Sequence, residues 1–325
     1  MKREPFRLTA PLKDYLWGGT KLKEEFHKQS ELDKVAESWE LSCHKDGTSR
    51  IADGPYTGRS LTEYIEAEGK SVLGTACSRF SRFPVLIKLI DAKQDLSLQV
   101  HPDDEFALRV EGEYGKTEMW YVVDHEPGAQ LIYGFKRDIT PAEFKKSIED
   151  NTILDLVNKV NVKKGDIFFV EAGTLHGIGA GILVAEIQQN SNTTYRIYDY
   201  GRVGADGRPR ELHTEKAAQV TNLNAISCDT SPRGELEKEE GYERIKLISC
   251  PLFCVYRYHV DGSAPLFVDG TSFQSFTVLD GEGTLRSADV SLKLRKGDTV
   301  FIPAETGSCF FEGSGEFILT KLEEE

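Results

Sequence analysis

The sequence predicts a mostly β protein built from two related β-barrels or sandwiches. Many short segments alternate apolar and polar residues, and turns rich in glycine separate them, which is typical of such folds. An internal repeat supports this: residues 164–174 (KGDIFFVEAGT) align with residues 296–306 (KGDTVFIPAET). Helical patterns are short and fall before residue 160, in and around the first barrel. A chain of 325 residues accommodates two domains, which we place at 1–235 and 236–325.

Composition narrows the class of protein and its partners. The net charge of −13 argues against nucleic-acid binding, which normally requires a basic surface. The six cysteines are scattered and form no CxxC pair, so we predict free thiols in a reducing compartment. Residues 1–5 lack the apolar run of a signal peptide, and no stretch has the length of a membrane span. We therefore predict a cytoplasmic protein, a monomer or homodimer, that acts on a small molecule without nucleic-acid or membrane partners.

The N-terminal part predicts scaffold elements. The Gly18-Gly19 pair ends an irregular lead-in, residues 21–29 suggest a short helix, and residues 37–42 alternate as a strand does. Ser60 is placed as an N-cap, and Glu63 completes a capping box. The simplest interpretation of these elements is structural, although three of their side chains could border a pocket: Trp17, Trp39 and Glu40.

Lys88 interrupts an otherwise apolar strand at residues 85–90. Burying an unpaired ammonium among aliphatic side chains is costly. The lysine therefore either extends out at a sheet edge or points into a polar cavity, and this segment alone supports both possibilities.

The middle of the chain alternates predicted strands with one helical region. Strands are predicted at residues 117–123, 129–133, 166–170, 182–187 and 194–198. Thr140 as N-cap and Pro141 at the first helical position begin the helical region, where apolar residues through Val157 suggest one or two short helices. A loop is predicted at residues 201–210 and a linker at residues 222–240. Strands and turns are predicted from there to residue 325.

The segment at residues 96–101 has the alternating pattern of a strand, and its polar face carries candidate metal ligands. Leu96, Leu98 and Val100 share one face of a strand, because strand side chains alternate between faces. The opposite face carries Ser97 with Gln99 and His101, which suggests a metal site. The alternative is a solvated sheet face on which a histidine is incidental.

Two further residues complete a plausible ligand set. Glu118 begins a predicted strand, and His176 follows the turn at the end of the first repeat. Two imidazoles, one carboxylate and one amide suit a divalent metal that keeps an open coordination position. A single carboxylate leaves a formal charge of about +1 on the site, so the ion would remain a strong Lewis acid. The second repeat has Ser308 in the place of His176, so only the first domain is expected to bind metal.

Several motifs, in matching order and spacing, resemble a known family. The Gly-Asp turn and the strand after it look like the second cupin motif, which implies double-sheet jelly rolls. Residues 10–220 resemble type I mannose-6-phosphate isomerases of the short bacterial form. The motifs are WGGTK (17–21), ESWE (37–40), SLQVHPD (97–103), GKTEMWY (115–121), AGTLH (172–176), EIQQNSN (186–192) and TYRIYD (194–199). Glu171 departs from the proline common at the cupin turn, which we interpret as a turn variant outside the ligand set.

This resemblance implies one zinc ion per chain and an aldose–ketose isomerisation of mannose 6-phosphate and fructose 6-phosphate through an enediolate. It makes Gln99, His101, Glu118 and His176 the zinc ligands, Arg196 the active-site arginine, and Lys88, Ser97, Lys116 and Arg202 the lining of the sugar-phosphate pocket. Glu186 is our candidate for the base that removes the proton. The alternative for Glu186 is a carboxylate on a barrel face that pairs with Lys88 or Arg196.

Other functions remain open from the sequence. One is a different metal-dependent cupin enzyme, such as an oxygenase or an epimerase. A glutamine ligand beside a single glutamate is less suited to Fe(II) oxygen chemistry, which disfavours the oxygenase. The other is a non-catalytic module that binds sugar phosphates. Such a module would keep the phosphate-binding cations but could lose the base or a ligand, whereas this chain has the whole set.

Overall fold

The computed structural model describes residues 3–204 and 207–324. Strand residues make up 43% of the chain and helical residues 15%, which confirms the predicted mostly β class. Two predicted features extend beyond the described residues: Met1 and Lys2 of the N-terminal segment, and Ala205 and Asp206 of the loop at 201–210, lie outside them.

The elements follow the chain in this order. The strands are β1 (Phe6–Thr9), β2 (Leu12–Lys13), β3 (Glu37–Leu41), β4 (Cys43–His44), β5 (Gly47–Thr48), β6 (Arg50–Ile51), β7 (Val85–Ala92), β8 (Leu98–Val100), β9 (Glu118–His125), β10 (Gln130–Phe135), β11 (Val157–Asn161), β12 (Ile167–Val170), β13 (His176–Gly177), β14 (Ile182–Gln189), β15 (Tyr195–Tyr198), β16 (Leu236–Glu239), β17 (Tyr242–Cys250), β18 (Phe253–Val268), β19 (Gln274–Arg286), β20 (Ser291–Arg295), β21 (Thr299–Ile302) and β22 (Gly307–Lys321). The α-helices are α1 (Lys21–Glu24), α2 (Leu61–Glu68), α3 (Asp104–Val110), α4 (Pro141–Glu149) and α5 (Thr214–Val220), and short 3₁₀ turns cover Gly54–Tyr56, Lys70–Leu73, Thr75–Cys77 and Ile153–Asp155.

The chain divides into two compact units that interleave along the sequence. The first unit comprises Met1–Lys13, Thr20–Leu89 and Ser231–Glu325, and the second comprises Asp14–Gly19 and Ile90–Thr230. The boundary near residue 90 falls within β7. The sequence-based division at residue 235 stays a prediction about domains.

A large antiparallel sheet dominates the first unit. Its strands run in the order β16-β17-β18-β22-β19-β21-β1-β6, and β20 pairs with β19. Strands β18, β19 and β22 have 16, 13 and 15 residues, longer than the short strands expected. They fold over a core of aliphatic and aromatic side chains that includes Phe276, Phe311 and Phe317.

The second unit holds the predicted metal ligands. A five-stranded sheet runs in the order β11-β10-β13-β8-β15, and strands β12, β9 and β14 pair in that order. Helices α4 and α5 pack with the inner residues of β8 and β15 in one hydrophobic cluster, which includes Val100, Phe144, Ile197 and Ala217. The apolar face of β8 is thereby buried in a core, and its polar face is left for the site.

The two copies of the repeat have the same backbone geometry. Gly165 and Gly297 both adopt a left-handed conformation, with φ of 91° and 92°, which glycine adopts without steric cost. The aspartate after each glycine accepts a hydrogen bond from the backbone N–H three residues before it: Asp166 from Lys163 at 2.9 Å and Asp298 from Arg295 at 3.0 Å. A strand follows each turn, and the internal repeat is therefore confirmed.

Some sequence-based elements were wrong or missed. Only Lys21–Glu24 of the predicted helix at 21–29 is α-helical. Of the one or two short helices expected up to Val157, one forms as α4, and a 3₁₀ turn and β11 follow it, where Val157 pairs with Phe135 of β10. The predicted linker at 222–240 ends in β16, which pairs with β17, and α5 was not predicted. Propensity is a weak guide where such long-range pairing decides the structure.

The capping box of α2 is present as predicted, and it supplies a local test. Ser60 Oγ accepts from the Glu63 N–H, and the Glu63 carboxylate accepts from the Ser60 N–H at 2.7 Å. We expect Ser60→Ala to destabilise α2 by about 1 kcal/mol, because one orphan N–H loses its partner. Amide hydrogen exchange across α2 should therefore speed up about fivefold. Glu66→Ala, at an exposed position of the same helix, is the control and should leave exchange nearly unchanged.

Two predictions from composition can also be compared with the structure. The six cysteines are thiols rather than disulfides, as predicted. Among the described residues, no helix is both long enough and apolar enough to cross a membrane.

Candidate active site

The five-stranded sheet lines up three of the predicted site residues. In the backbone register, Gln99 of β8 lies opposite His176 of β13 on one side and opposite Arg196 of β15 on the other. Cross-strand partners in an antiparallel sheet project from the same face, so these three side chains form one row. The face is not solvated: His176 is fully buried, and Ser97 is 5% exposed. The alternative of a solvated sheet face is therefore wrong.

His101 and Glu118 come together through a close approach of two backbone segments. The N–H of Lys116 donates to Pro102 O at 3.0 Å, which joins the segment after β8 to the segment before β9. Gly115 makes this approach possible, because a Cβ there would lie 2.4 Å from the carbonyl carbon of Asp103. The glycine thus places Glu118 beside His101.

The buried cluster has the geometry of a metal site. The two carboxylate oxygens of Glu118 lie 3.5 Å from His101 Nε2 and 3.4 Å from His176 Nε2. One potential ligand atom from each of the three residues falls within 4.8 Å of the others, and all three residues are buried. The Gln99 amide is next to them, with Nε2 at 3.3 Å from His176 Nε2. A 180° turn of the amide would present its oxygen, the atom that a metal binds.

Backbone carbonyls orient both imidazoles. His101 Nδ1 lies 2.9 Å from Thr193 O, and His176 Nδ1 lies 2.8 Å from Thr174 O. With Nδ1 as the donor, Nε2 of each ring keeps its lone pair for a ligand bond, which is the usual arrangement behind metal-bound histidines. Burial lowers the pKa of His176 to about 3, so its imidazole is neutral at physiological pH. Two imidazoles, a carboxylate and an amide oxygen fit a divalent ion such as zinc.

Lys116 adds a positive charge inside this cluster. Its ammonium lies 2.8 Å from a Glu118 oxygen and 3.1 Å from His101 Nε2, and the side chain is 4% exposed. A second carboxylate, Glu186, is 3.8 Å away. The lysine therefore has two carboxylates within reach, and it can contact Glu186 while Glu118 serves as a ligand.

The sheet of β12, β9 and β14 supports Glu186. Trp120 Nε1 donates to Glu186 Oε2 at 2.8 Å, and both side chains are buried. The same indole ring packs edge-to-face on His176, with centroids 5.3 Å apart. Glu186 thus contacts Trp120 and Lys116 in this unit, and its pairing with Lys88 or Arg196 stays an alternative.

Arg196 lies in a group of three arginines. Its Nη1 donates to Glu211 O at 2.9 Å, and burial, together with the nearby charge of Arg210, lowers its pKa. Arg202 and Arg210 both donate to Asp199, each with a contact of 2.5 Å. Burial alone would raise the pKa of Asp199, but the two guanidinium groups hold it below its usual value. One carboxylate therefore organises a locally cationic region within an acidic chain.

Lys88 and Ser97 are both buried, in different units. Lys88 Nζ lies 3.8 Å from Glu37 Oε2 and 5.3 Å from the ring centroid of Trp39, so it does not extend into solvent at an edge. Ser97 precedes β8, two residues before Gln99 and in the alternation that the sequence predicts.

The sequence did not identify several supporting residues. Trp120 and Gln188 face the site from the second sheet, and Asp199 and Arg210 complete the arginine group. The predicted strand alternation places Trp120 on the face of Glu118, which was a usable signal. No local pattern indicated that Asp199 joins two arginines.

The fold and the buried cluster define the class of protein: a mostly β cupin protein with an enclosed cluster of side chains that could hold a metal. Residues 5–132 match the model for "Phosphomannose isomerase type I, catalytic domain", and residues 243–322 match "Mannose-6-phosphate isomerase, cupin domain". Mannose-6-phosphate isomerase ManA of Bacillus subtilis is 38% identical, covering 99% of this chain and 100% of the relative. Mannose-6-phosphate isomerase of Streptococcus mutans is 37% identical, covering 99% of each chain.

A solved structure agrees with these relatives. The crystal structure of mannose 6-phosphate isomerase from Bacillus subtilis superposes with a TM-score of 0.91 at 35% identity, over 98% of this chain and 99% of that chain. The chain belongs to the type I mannose-6-phosphate isomerase family, as the motifs predicted. It is therefore an enzyme of the sugar-phosphate isomerase class.

Proposed function

We propose that this chain interconverts mannose 6-phosphate and fructose 6-phosphate through an enediolate, with one zinc ion bound by Gln99, His101, Glu118 and His176. The single observation that carries the proposal is the enclosed cluster of His101, Glu118 and His176, whose ligand atoms lie within 4.8 Å of one another. Full-length similarity to mannose-6-phosphate isomerases supports the choice of substrate. We assign the catalytic site to the domain at 1–235, and Ser308 in place of His176 supports a domain at 236–325 without metal.

The chemistry requires a proton to move between C1 and C2 of the sugar. When bound, the ion supplies Lewis acidity toward the oxygens on those carbons. The developing negative charge also needs a fixed positive group, since preorganised electrostatic stabilisation is usually the largest contribution to catalysis. Arg196 supplies that group: its backbone is fixed in β15, and its partner Gln99 belongs to the ligand set.

Glu186 is the proposed base, and its surroundings suit the role. The Trp120 N–H donates to one carboxylate oxygen, and we assign the other oxygen, which lies 3.8 Å from Lys116 Nζ, the role of accepting the substrate proton. The indole bond fixes the direction of the carboxylate, and positioning of this kind is a large part of general-base catalysis. Lys116 can stabilise the ionised carboxylate and also reach the oxygens of the substrate.

Cationic and hydroxyl groups are proposed to bind the sugar phosphate. Lys88, Lys116 and Arg202 would contact the phosphate dianion or sugar oxygens through charge-assisted hydrogen bonds, and Ser97 would donate through its hydroxyl. The arginine group supports this, because Asp199 neutralises only part of the charge of Arg202 and Arg210. Its bond with Asp199 holds the Arg202 guanidinium in a defined orientation.

A coupled assay tests this proposal directly. We expect metal-stripped protein to be inactive and zinc to restore conversion of mannose 6-phosphate to fructose 6-phosphate, measured by coupling the product to NADP reduction. The expected stoichiometry is one zinc per chain by elemental analysis. Mannose 6-phosphate with all coupling enzymes but without the protein serves as the background control. Zinc-loaded protein that converts no mannose 6-phosphate would refute the proposed function.

A further inference from the structure

Gln188 carries a buried hydrogen-bond acceptor that no residue of the described structure satisfies. The side chain is 0% exposed. Its Nε2 donates to Gln189 O at 2.6 Å and to Ser191 O at 2.7 Å, but no donor among the described residues reaches its Oε1. Buried carbonyl oxygens are nearly always paired, and leaving one unpaired is costly.

The orientation of this amide is fixed by its own network. Turning the amide by 180° would replace the two hydrogen bonds with contacts between Oε1 and two carbonyl oxygens, which repel it. The nitrogen therefore stays on the turn at Gln189–Ser191. Gln188 Oε1 therefore stays in a position where no described residue donates a hydrogen bond to it.

The register places Gln188 beside Glu118 of the candidate metal cluster. Gln188 lies opposite Glu118 across β14 and β9, and Val170 of β12 lies on the other side of Glu118. Cross-strand partners share a face, and Gln188 shares the face of Glu186 because the two are two residues apart in one strand. Neither Val170 nor the Glu118 carboxylate can donate, so the missing donor to Gln188 Oε1 would have to come from a bound molecule that carries an O–H or N–H.

We propose that Gln188 Oε1 accepts a hydrogen bond from one hydroxyl of the bound sugar and thereby determines specificity. This rests on the proposed function, because that function brings a polyhydroxylated substrate to the Glu118 face. A site that hydrogen-bonds a substrate hydroxyl discriminates against an analogue that lacks it, since the buried acceptor then has no partner. The residue would act on recognition of the sugar, whereas Glu186 would act on the proton.

The test combines one substitution with a set of deoxy sugars. We expect Gln188→Leu to weaken mannose 6-phosphate binding by about five- to a hundredfold, measured by calorimetry on zinc-loaded protein. Binding of mannose 6-phosphate analogues that each lack one hydroxyl is then compared between wild type and variant. For the one analogue that lacks the recognised hydroxyl, the affinity ratio should fall to about one. Loss of the Nε2 hydrogen bonds would lower thermal stability, but it would change the affinity ratio equally for all analogues.

Gln130→Leu is the matched control, because that glutamine is exposed on β10 of the same unit and should leave every affinity unchanged. An equal affinity ratio for all analogues would overturn the proposal and point to a structural water on Oε1. Wild type that binds mannose 6-phosphate without turnover would refute the proposed function, yet the binding ratios would still test Gln188. Wild type that binds no sugar phosphate would overturn both proposals.

Discussion

His176→Ala should remove bound zinc and lower kcat/KM by at least about a thousandfold, while the chain stays folded. The imidazole is fully buried and lies 3.4 Å from Glu118, so its loss removes one of two nitrogen donors from the set. Three donors of mixed type would remain, and we expect them to bind the ion too weakly to retain it. A Lewis acid contributes several kcal/mol of transition-state stabilisation, which corresponds to about three orders of magnitude in rate.

Elemental analysis and the coupled assay measure this prediction, and circular dichroism verifies the fold. His101→Ala should have the same effect, because His101 Nε2 lies 3.5 Å from the other Glu118 oxygen. His125→Ala is the matched control: this histidine is on β9, the strand of Glu118, and its Nδ1 contacts Glu126 O at 3.0 Å. Either cluster variant retaining full activity in metal-free buffer would show that the ligand set is wrong.

Strand periodicity explains why part of the site could be predicted from the sequence. An alternation of period two at residues 96–101 assigns Leu98 and Val100 to one face and Gln99 to the other without knowledge of any partner. The structure buries both apolar side chains in the cluster with α4 and α5, as the alternation requires. The repeat was equally local, since the Gly165 turn and the Asp166 cap depend on residues within three positions.

The partners that tune the site depend on register, which the sequence does not encode locally. Trp120 meets Glu186 only because β9 and β14 pair with a shift between Leu183 and Val184. A shift of one residue would turn Glu186 to the other face. The contacts of the two imidazoles with the carbonyls of Thr174 and Thr193 involve backbone atoms, which no residue pattern reveals.

Arg196 is a positively charged residue of the candidate active site that is not among the proposed metal ligands. Its guanidinium is half-buried near Arg202 and Arg210, and these like charges, after burial itself, disfavour its charged state. Keeping a charged guanidinium in this place is energetically unfavourable, and the stability of the fold does not require it. Such a cost is expected where anionic charge develops during a reaction, and Arg196 is the cross-strand partner of the proposed ligand Gln99.

Arg196→Ala should therefore lower kcat by about 10²–10³-fold while zinc content stays at one per chain. Thermal stability should change little or rise, because the variant removes a repulsive charge from beside Arg210. Steady-state kinetics of the coupled assay and elemental analysis measure the two quantities on the same sample. Arg137→Ala is the control, since that arginine is exposed and pairs with Glu143. An unchanged kcat would remove Arg196 from the mechanism. A loss of zinc would instead show that Arg196 acts by positioning Gln99, its partner in the ligand set.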